Sequence, residues 1–228
     1  MSFLDWLLNP ASIWFETIPV ILILLFAAGL FISAVGFVRL VWFISIGYGF
    51  SIACMAIISG AYYLPVSTVT GIFHAVLLSV YGLRLGIYLA MREIQPSYKK
   101  EQAEIKKEYP ARTIFLKIVI WISVAALYVI MSAPLVFHLQ AVSMSSVHPV
   151  VIIGLAVGFT GLLIESAADF QKSAAKKKNP SRYCDTGLYR IVRSPNYFGE
   201  ILVWLGSFAA ALPFYGSDPW RWFFALTG

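Results

Sequence analysis

A chain of 228 residues with 60% apolar residues, 12% charged residues and a mean hydropathy of +0.80 is too apolar for a soluble domain of its size. The net charge of +6 comes from Lys and Arg gathered in two loops beside apolar runs, so membrane topology accounts for it and no nucleic-acid partner is expected. The two cysteines, Cys54 in an apolar run and Cys184 in a basic loop, fall at different expected depths, which argues against a structural disulfide; neither has metal-ligand company, so no metal is expected.

Residues 1–19 carry Trp6, Trp14 and Phe15 with Asp5 and Glu16 but no Lys or Arg, as an interfacial segment on the non-cytoplasmic side would. No cleavable signal peptide precedes the first long apolar run, so the first span, 20–38, is expected to persist in the mature protein. Gly36 and Arg39 mark a tight turn into a second span over 40–59, and the uncharged stretch GAYYLPVST returns the chain on the outer side. The third span, 69–91, aligns Tyr81, Arg84 and Tyr88 on one helical face, either as a pocket wall or with Arg84 snorkelling to the cytoplasmic interface, whereas His74 reads as a packed or hydrogen-bonded histidine. Residues 92–112 hold six Lys/Arg and four Glu and form the first cytoplasmic basic loop, expected as an amphipathic helix.

A fourth span over 113–133 ends before Pro134, and the outer loop 134–147 has no Lys or Arg; His138 and His148 match no metal-ligand spacing. The fifth span, 148–168, has Gly154, Gly158 and Gly161 for close helix packing, and Glu165 and Asp169 share a face at its inner end. After a second basic loop over 170–193, the sixth span runs over 196–213, and 220–228 begins a seventh apolar segment too short to cross. The sequence thus predicts an all-α polytopic transmembrane helical bundle, a single integral membrane domain of six complete spans plus a partial seventh. Placing every Lys/Arg-rich loop inside puts the N-terminus outside, which in a bacterium means an inner-membrane protein with its N-terminus in the periplasm.

The densest polar chemistry lies in YCDTGLYRIVRSPNYFGEILVW, residues 183–204. Lys172, Lys176, Lys177, Lys178, Arg182, Arg190 and Arg193 gather positive charge there, suited to an anionic cofactor at the bilayer surface. Pro195 suits the first turn of a helix starting near Ser194 or Pro195; Asn196 and Glu200 then share a face, with Tyr197 and Gly199 beside them. Gly199 lets a backbone or a ligand come close. An anchor beside a membrane span would explain the cations alone, but a carboxylate such as Glu200 inside an apolar helix is costly without a partner or a purpose. Basic groups can hold phosphates, carboxylates and an asparagine can bind ribose hydroxyls or a carboxamide, and a tyrosine backed by an arginine can polarise a carbonyl or donate a proton. These parts suit hydride transfer from a nicotinamide cofactor to a hydrophobic substrate entering from the bilayer, among membrane lipids. No glycine-rich dinucleotide fingerprint is present, so helix ends and loops would have to hold the cofactor. No oligomeric state is read from the sequence.

GLYRIVRSPNYFGEILVWLG resembles the signature of the steroid 5-alpha-reductase superfamily, in particular its bacterial membrane branch, and ESAADFQK and YGLRLGIYLAMR resemble two further motifs of that family in the same order. The resemblance spans about 160 residues and implies NADPH-dependent reduction of a conjugated carbon–carbon double bond in a hydrophobic carbonyl compound, steroid-like or isoprenoid-like. By it, Tyr81 matches the catalytic acid with Arg84 as its electrostatic support. Arg84 also matches the positions lining the NADPH site, along with Tyr88, Glu165, Asp169, Asn196 and Glu200; Tyr197 lies beside them, and Arg190 and Arg193 match phosphate or local structure. The chain departs from the pattern in two ways. Residues 40–59 lack the Gln-Glu pair of steroid reductases, and the sequence stops at Gly228, where the family continues into a further helix and a basic tail. The related isoprenylcysteine carboxyl methyltransferases use a similar stretch to bind S-adenosylmethionine, with histidine where Ser194 stands here. A methyltransferase, or a non-catalytic membrane scaffold or lipid-binding protein, is thus the alternative expectation.

Overall fold

The computed structural model describes residues 20–95, 113–140, 148–179 and 182–228, and all regular structure among them is helical. The helices are α1 Val20–Ser33, α2 Ile46–Tyr63, α3 Val69–Ile94, α4 Ile114–Met131, α5 Ala133–Leu139, α6 Pro149–Lys178, α7 Pro195–Ala211 and α8 Pro219–Thr227. Among the described residues, six stretches are long and apolar enough to cross a membrane: Val20–Phe37, Leu40–Tyr63, Val69–Ile94, Ile114–Leu139, Pro149–Lys178 and Pro195–Phe214. The chain is an integral membrane protein with the expected number of spans. The nine residues of α8 are too few to cross on their own.

Local chemistry sets the helix ends. Thr68 Oγ1 accepts from the Gly71 N–H at 3.2 Å, Thr113 Oγ1 from Leu116 at 3.4 Å, and Asp218 Oδ1 from Trp220 at 2.9 Å, each satisfying a first-turn donor with no partner inside its helix. Pro149, Pro195 and Pro219 each occupy a first helical position, where the missing N–H costs nothing.

Two sequence expectations need correction, and a third is refined. Residues 134–147 were expected as a loop from Pro134 onward, but Pro134 lies in the first turn of α5, and Pro134–Leu139 is wholly buried. A proline at that position starts a helix as readily as it stops one, with Ser132 marking the break from α4. Residues 170–178, expected as the start of a basic loop, continue α6 to Lys178, because Ala and Lys propagate helix and lysines suit a helix C-terminus. The tight turn at Gly36 and Arg39 is a pair of 3-10 turns, Ala34–Phe37 and Leu40–Phe43, flanking an extended Arg39. The segment 1–19, most of the first basic loop (96–112) and the rest of the outer loop (141–147) lie outside the described residues.

The chain divides into two compact units, Met1–Ser146 with Phe214–Gly228, and Val147–Pro213. In the first, α2 and α3 pack antiparallel at backbone distance: a Cβ at Gly49 would meet the Gly86 nitrogen at 2.6 Å, and one at Gly82 would meet the Ala53 nitrogen at 2.5 Å. Trp121 Nε1 donates to the Leu30 carbonyl at 2.8 Å and ties α4 to α1. Arg39 Nη1 reaches Glu93 Oε2 at 2.7 Å, with its guanidinium 5.5 Å from the Trp42 ring. The second unit is built on α6 and α7, whose small residues meet in antiparallel order: Gly154 with Ala210, Gly158 with Gly206, Gly161 with Gly199. Small residues were expected here, and without a hydrophobic drive between helices in lipid this backbone approach supplies the contact.

Candidate functional site

The first unit carries the candidate acid. Tyr81 is fully buried in the middle of α3. Its hydroxyl lies 3.0 Å from that of Tyr48 on α2, and the Tyr48 ring is tilted against Tyr128 at 5.5 Å. Tyr128 in turn donates to the Phe43 carbonyl at 2.5 Å, so the two phenols stand in a fixed aromatic layer. Arg84 and Tyr88, half-buried, follow Tyr81 along the same side of α3. Tyr48 stands within the very helix that lacks a Gln-Glu pair, and nothing in its local sequence distinguishes it from an interfacial tyrosine.

The second unit carries the remaining candidates. Glu165 and Asp169, one turn apart on α6, are 3% and 5% exposed, so both side chains are buried. Gly199 brings α7 onto α6 beside them: a Cβ there would lie 2.6 Å from the Glu165 nitrogen and 2.7 Å from the Gly161 carbonyl oxygen. The close approach that Gly199 permits is therefore that of a neighbouring helix. Asn196 and Glu200, half-buried, occupy the first turns of α7, which starts at Pro195 as expected, and Tyr197 between them is exposed.

Arg190 closes the 3-10 turn Gly187–Arg190, and Arg193 lies just before α7. Both are exposed, and neither forms an ion pair with a described residue. Arg182 differs: its guanidinium donates to Asp185 Oδ2 at 2.5 Å, and that hydrogen bond, with the attraction of the carboxylate, raises its pKa. Its charge is already answered by Asp185, whereas Arg190 and Arg193 have no ion-pair partner among the described residues. The turn that Arg190 closes is held by Gln171 of α6, whose Oε1 accepts from the Leu188 N–H at 2.8 Å.

Two features of the first unit lie apart from these residues. His74 and His138 meet with their Nδ1 atoms 3.1 Å apart, both fully buried; His138 Nε2 is 3.2 Å from Thr70 Oγ1, and Phe214 stacks on its ring at 4.7 Å. His74 is thus the hydrogen-bonded histidine expected, with a partner placed by sequence in a loop. A cavity of about 370 Å3 is lined by apolar side chains such as Leu22, Ile130, Phe137 and Phe224, with Asp218 and Arg221 as its charged groups, and includes none of the ten candidate residues.

A family model described as "Protein of unknown function (DUF1295)" matches residues 25–225. The chain belongs to that family. The DUF1295 match takes in both units and every candidate residue from Tyr81 to Glu200. No curated protein and no solved structure matches the chain.

Proposed function

We propose that this DUF1295 protein is an NADPH-dependent reductase of a conjugated carbon–carbon double bond in a hydrophobic carbonyl substrate drawn from the bilayer. The observation that carries the reading is in the second unit, where two buried carboxylates, Glu165 and Asp169, accompany two exposed arginines, Arg190 and Arg193, that form no ion pair among the described residues, at the start of a helix bearing Asn196 and Glu200. This donor set fits a nicotinamide dinucleotide in kind. Arg190 and Arg193 serve the phosphates, aided by the N-terminal end of α7, while the carboxylates and Asn196 serve hydroxyls and an amide. The motif resemblance to the steroid 5-alpha-reductase superfamily points the same way, and it alone names NADPH.

When bound, the cofactor supplies the hydride. Tyr81 hydrogen-bonds the substrate carbonyl and provides the proton that completes the reduction, Tyr48 holds its hydroxyl in place, and Arg84 stabilises charge that develops on the oxygen. The Lys and Arg distribution supports an inner-membrane orientation with the N-terminus outside and the chemistry facing the cytoplasm.

The test is NADPH consumption by the purified protein with a panel of hydrophobic enones. The expected result is turnover that Tyr81→Phe lowers by roughly 10²–10⁴-fold with NADPH affinity nearly intact. Turnover unchanged in Tyr81→Phe would remove this residue from the role.

A further inference from the structure

We propose that Gln171 is a positioning residue, whose side-chain amide clamps the turn Gly187–Arg190 to the inner end of α6 and so sets where Arg190 and Arg193 stand. Sequence alone gives Gln171 no role of its own, since it lies inside the ESAADFQK stretch at the start of what is expected as a basic loop. In the folded unit it makes three contacts with the loop. Its Oε1 accepts from the Leu188 N–H at 2.8 Å. Its backbone carbonyl lies 3.9 Å from Cys184 Sγ, a thiol contact earlier in the same loop. Its amide also covers Gly187, which has a φ of +61°; a Cβ there would lie 2.7 Å from Gln171 Cδ and 3.0 Å from its Nε2. Gly187 therefore meets two demands that few residues satisfy, a left-handed backbone and no side chain against the amide.

The geometry explains why the glutamine of ESAADFQK and the glycine opening GLYR belong together, although they are 16 residues apart. The side chain of one satisfies a backbone donor of the turn that the other makes possible. Within the turn, Tyr189 N–H donates to the Thr186 carbonyl at 3.3 Å and Ile191 N–H to Leu188 at 3.0 Å, so fixing Leu188 fixes the backbone on both sides of Arg190. Arg193 follows two residues after Ile191, directly before the α7 cap. Two long cationic side chains bind an anion well only if their backbone is already in place, because the cost of ordering the loop otherwise falls on the binding step. The consequence for affinity rests on the reading of these arginines as phosphate ligands, but the clamp itself does not.

Hydrogen exchange on the full chain in detergent, without nucleotide, tests the clamp. Replacing Gln171 with Ala should raise exchange at the Leu188 amide by about tenfold, on the scale of one lost hydrogen bond, while Gln171→Glu, which keeps an acceptor at the same reach, should restore protection. Equal exchange in Gln171→Ala and the unmodified chain would overturn the clamp, as would failure of Gln171→Glu to restore it. A second measurement, NADPH affinity, separates the clamp from the function. A several-fold weaker Kd in Gln171→Ala with an unchanged melting temperature is the result expected, whereas raised exchange with an unaltered Kd would overturn the positioning role. If the unmodified chain does not bind NADPH while Gln171→Ala still raises exchange, the clamp stands and the nucleotide reading falls.

Discussion

Gly199→Ala puts a number on the contact that seats the start of α7 on the buried carboxylates. The new methyl would begin 2.6 Å from the Glu165 nitrogen and 2.7 Å from the Gly161 carbonyl oxygen, both backbone atoms that no rotamer change can move away. Reaching ordinary contact at 3.4 Å requires α7 to retreat by about 0.8 Å, which loosens the Gly161–Val203 contact as well. Overpacking of this kind costs about 1–3 kcal/mol. Because the obstacles are rigid the upper end applies, and the better helix propensity of alanine returns at most about 1 kcal/mol. A net loss of about 2 kcal/mol corresponds to a fall in Tm of roughly 4–8 °C in a chain of this size. Thermal unfolding of detergent-purified protein measures it, with Gly60→Ala as the control: the nearest atom there is the Ala75 methyl at 3.1 Å, and the Tm should stay within about 2 °C. A Gly199→Ala protein as stable as the unmodified chain would refute the backbone-contact argument.

Asn196→Ala and Glu200→Ala should each weaken nucleotide binding, measured by titration, far more than they lower the ligand-free Tm; parallel losses of both would assign these residues to structure instead. Arg39→Ala should lower the Tm more than Glu93→Gln does, because it strands the 8% exposed Glu93 carboxylate without the cation 2.7 Å away. Arg39 is itself 43% exposed, which discounts the loss to about 1–2 kcal/mol. Equal melting temperatures in the two variants would mean that water already serves Glu93.

Much of the architecture was legible because long apolar runs bounded by charge admit few readings. The start of α7 could be placed because Ser194 and Pro195 form a recognisable helix entry, and the shared side of Glu165 and Asp169 on α6 follows from their i, i+4 spacing, whereas their burial does not. Two departures share a cause: Pro134 and the lysines from Lys172 onward read in sequence as signals of non-helical chain, although proline fits a first turn and Ala-Lys sequences extend helices. The closest polar contacts were beyond sequence reasoning. Tyr48 meets Tyr81 and His74 meets His138 only because of how the helices of the first unit pack, and the partner of Gln171 is a backbone N–H that no sequence motif marks.

The most direct test of the central claim is the Tm of the detergent-purified chain with NADPH, NADH, S-adenosylmethionine or no ligand, since a ligand that binds the folded state raises Tm by mass action. The proposed reductase requires a rise with NADPH and none with S-adenosylmethionine. A rise with S-adenosylmethionine alone, or none with either nicotinamide cofactor, would contradict the nucleotide assignment of Glu165, Asp169, Asn196 and Glu200.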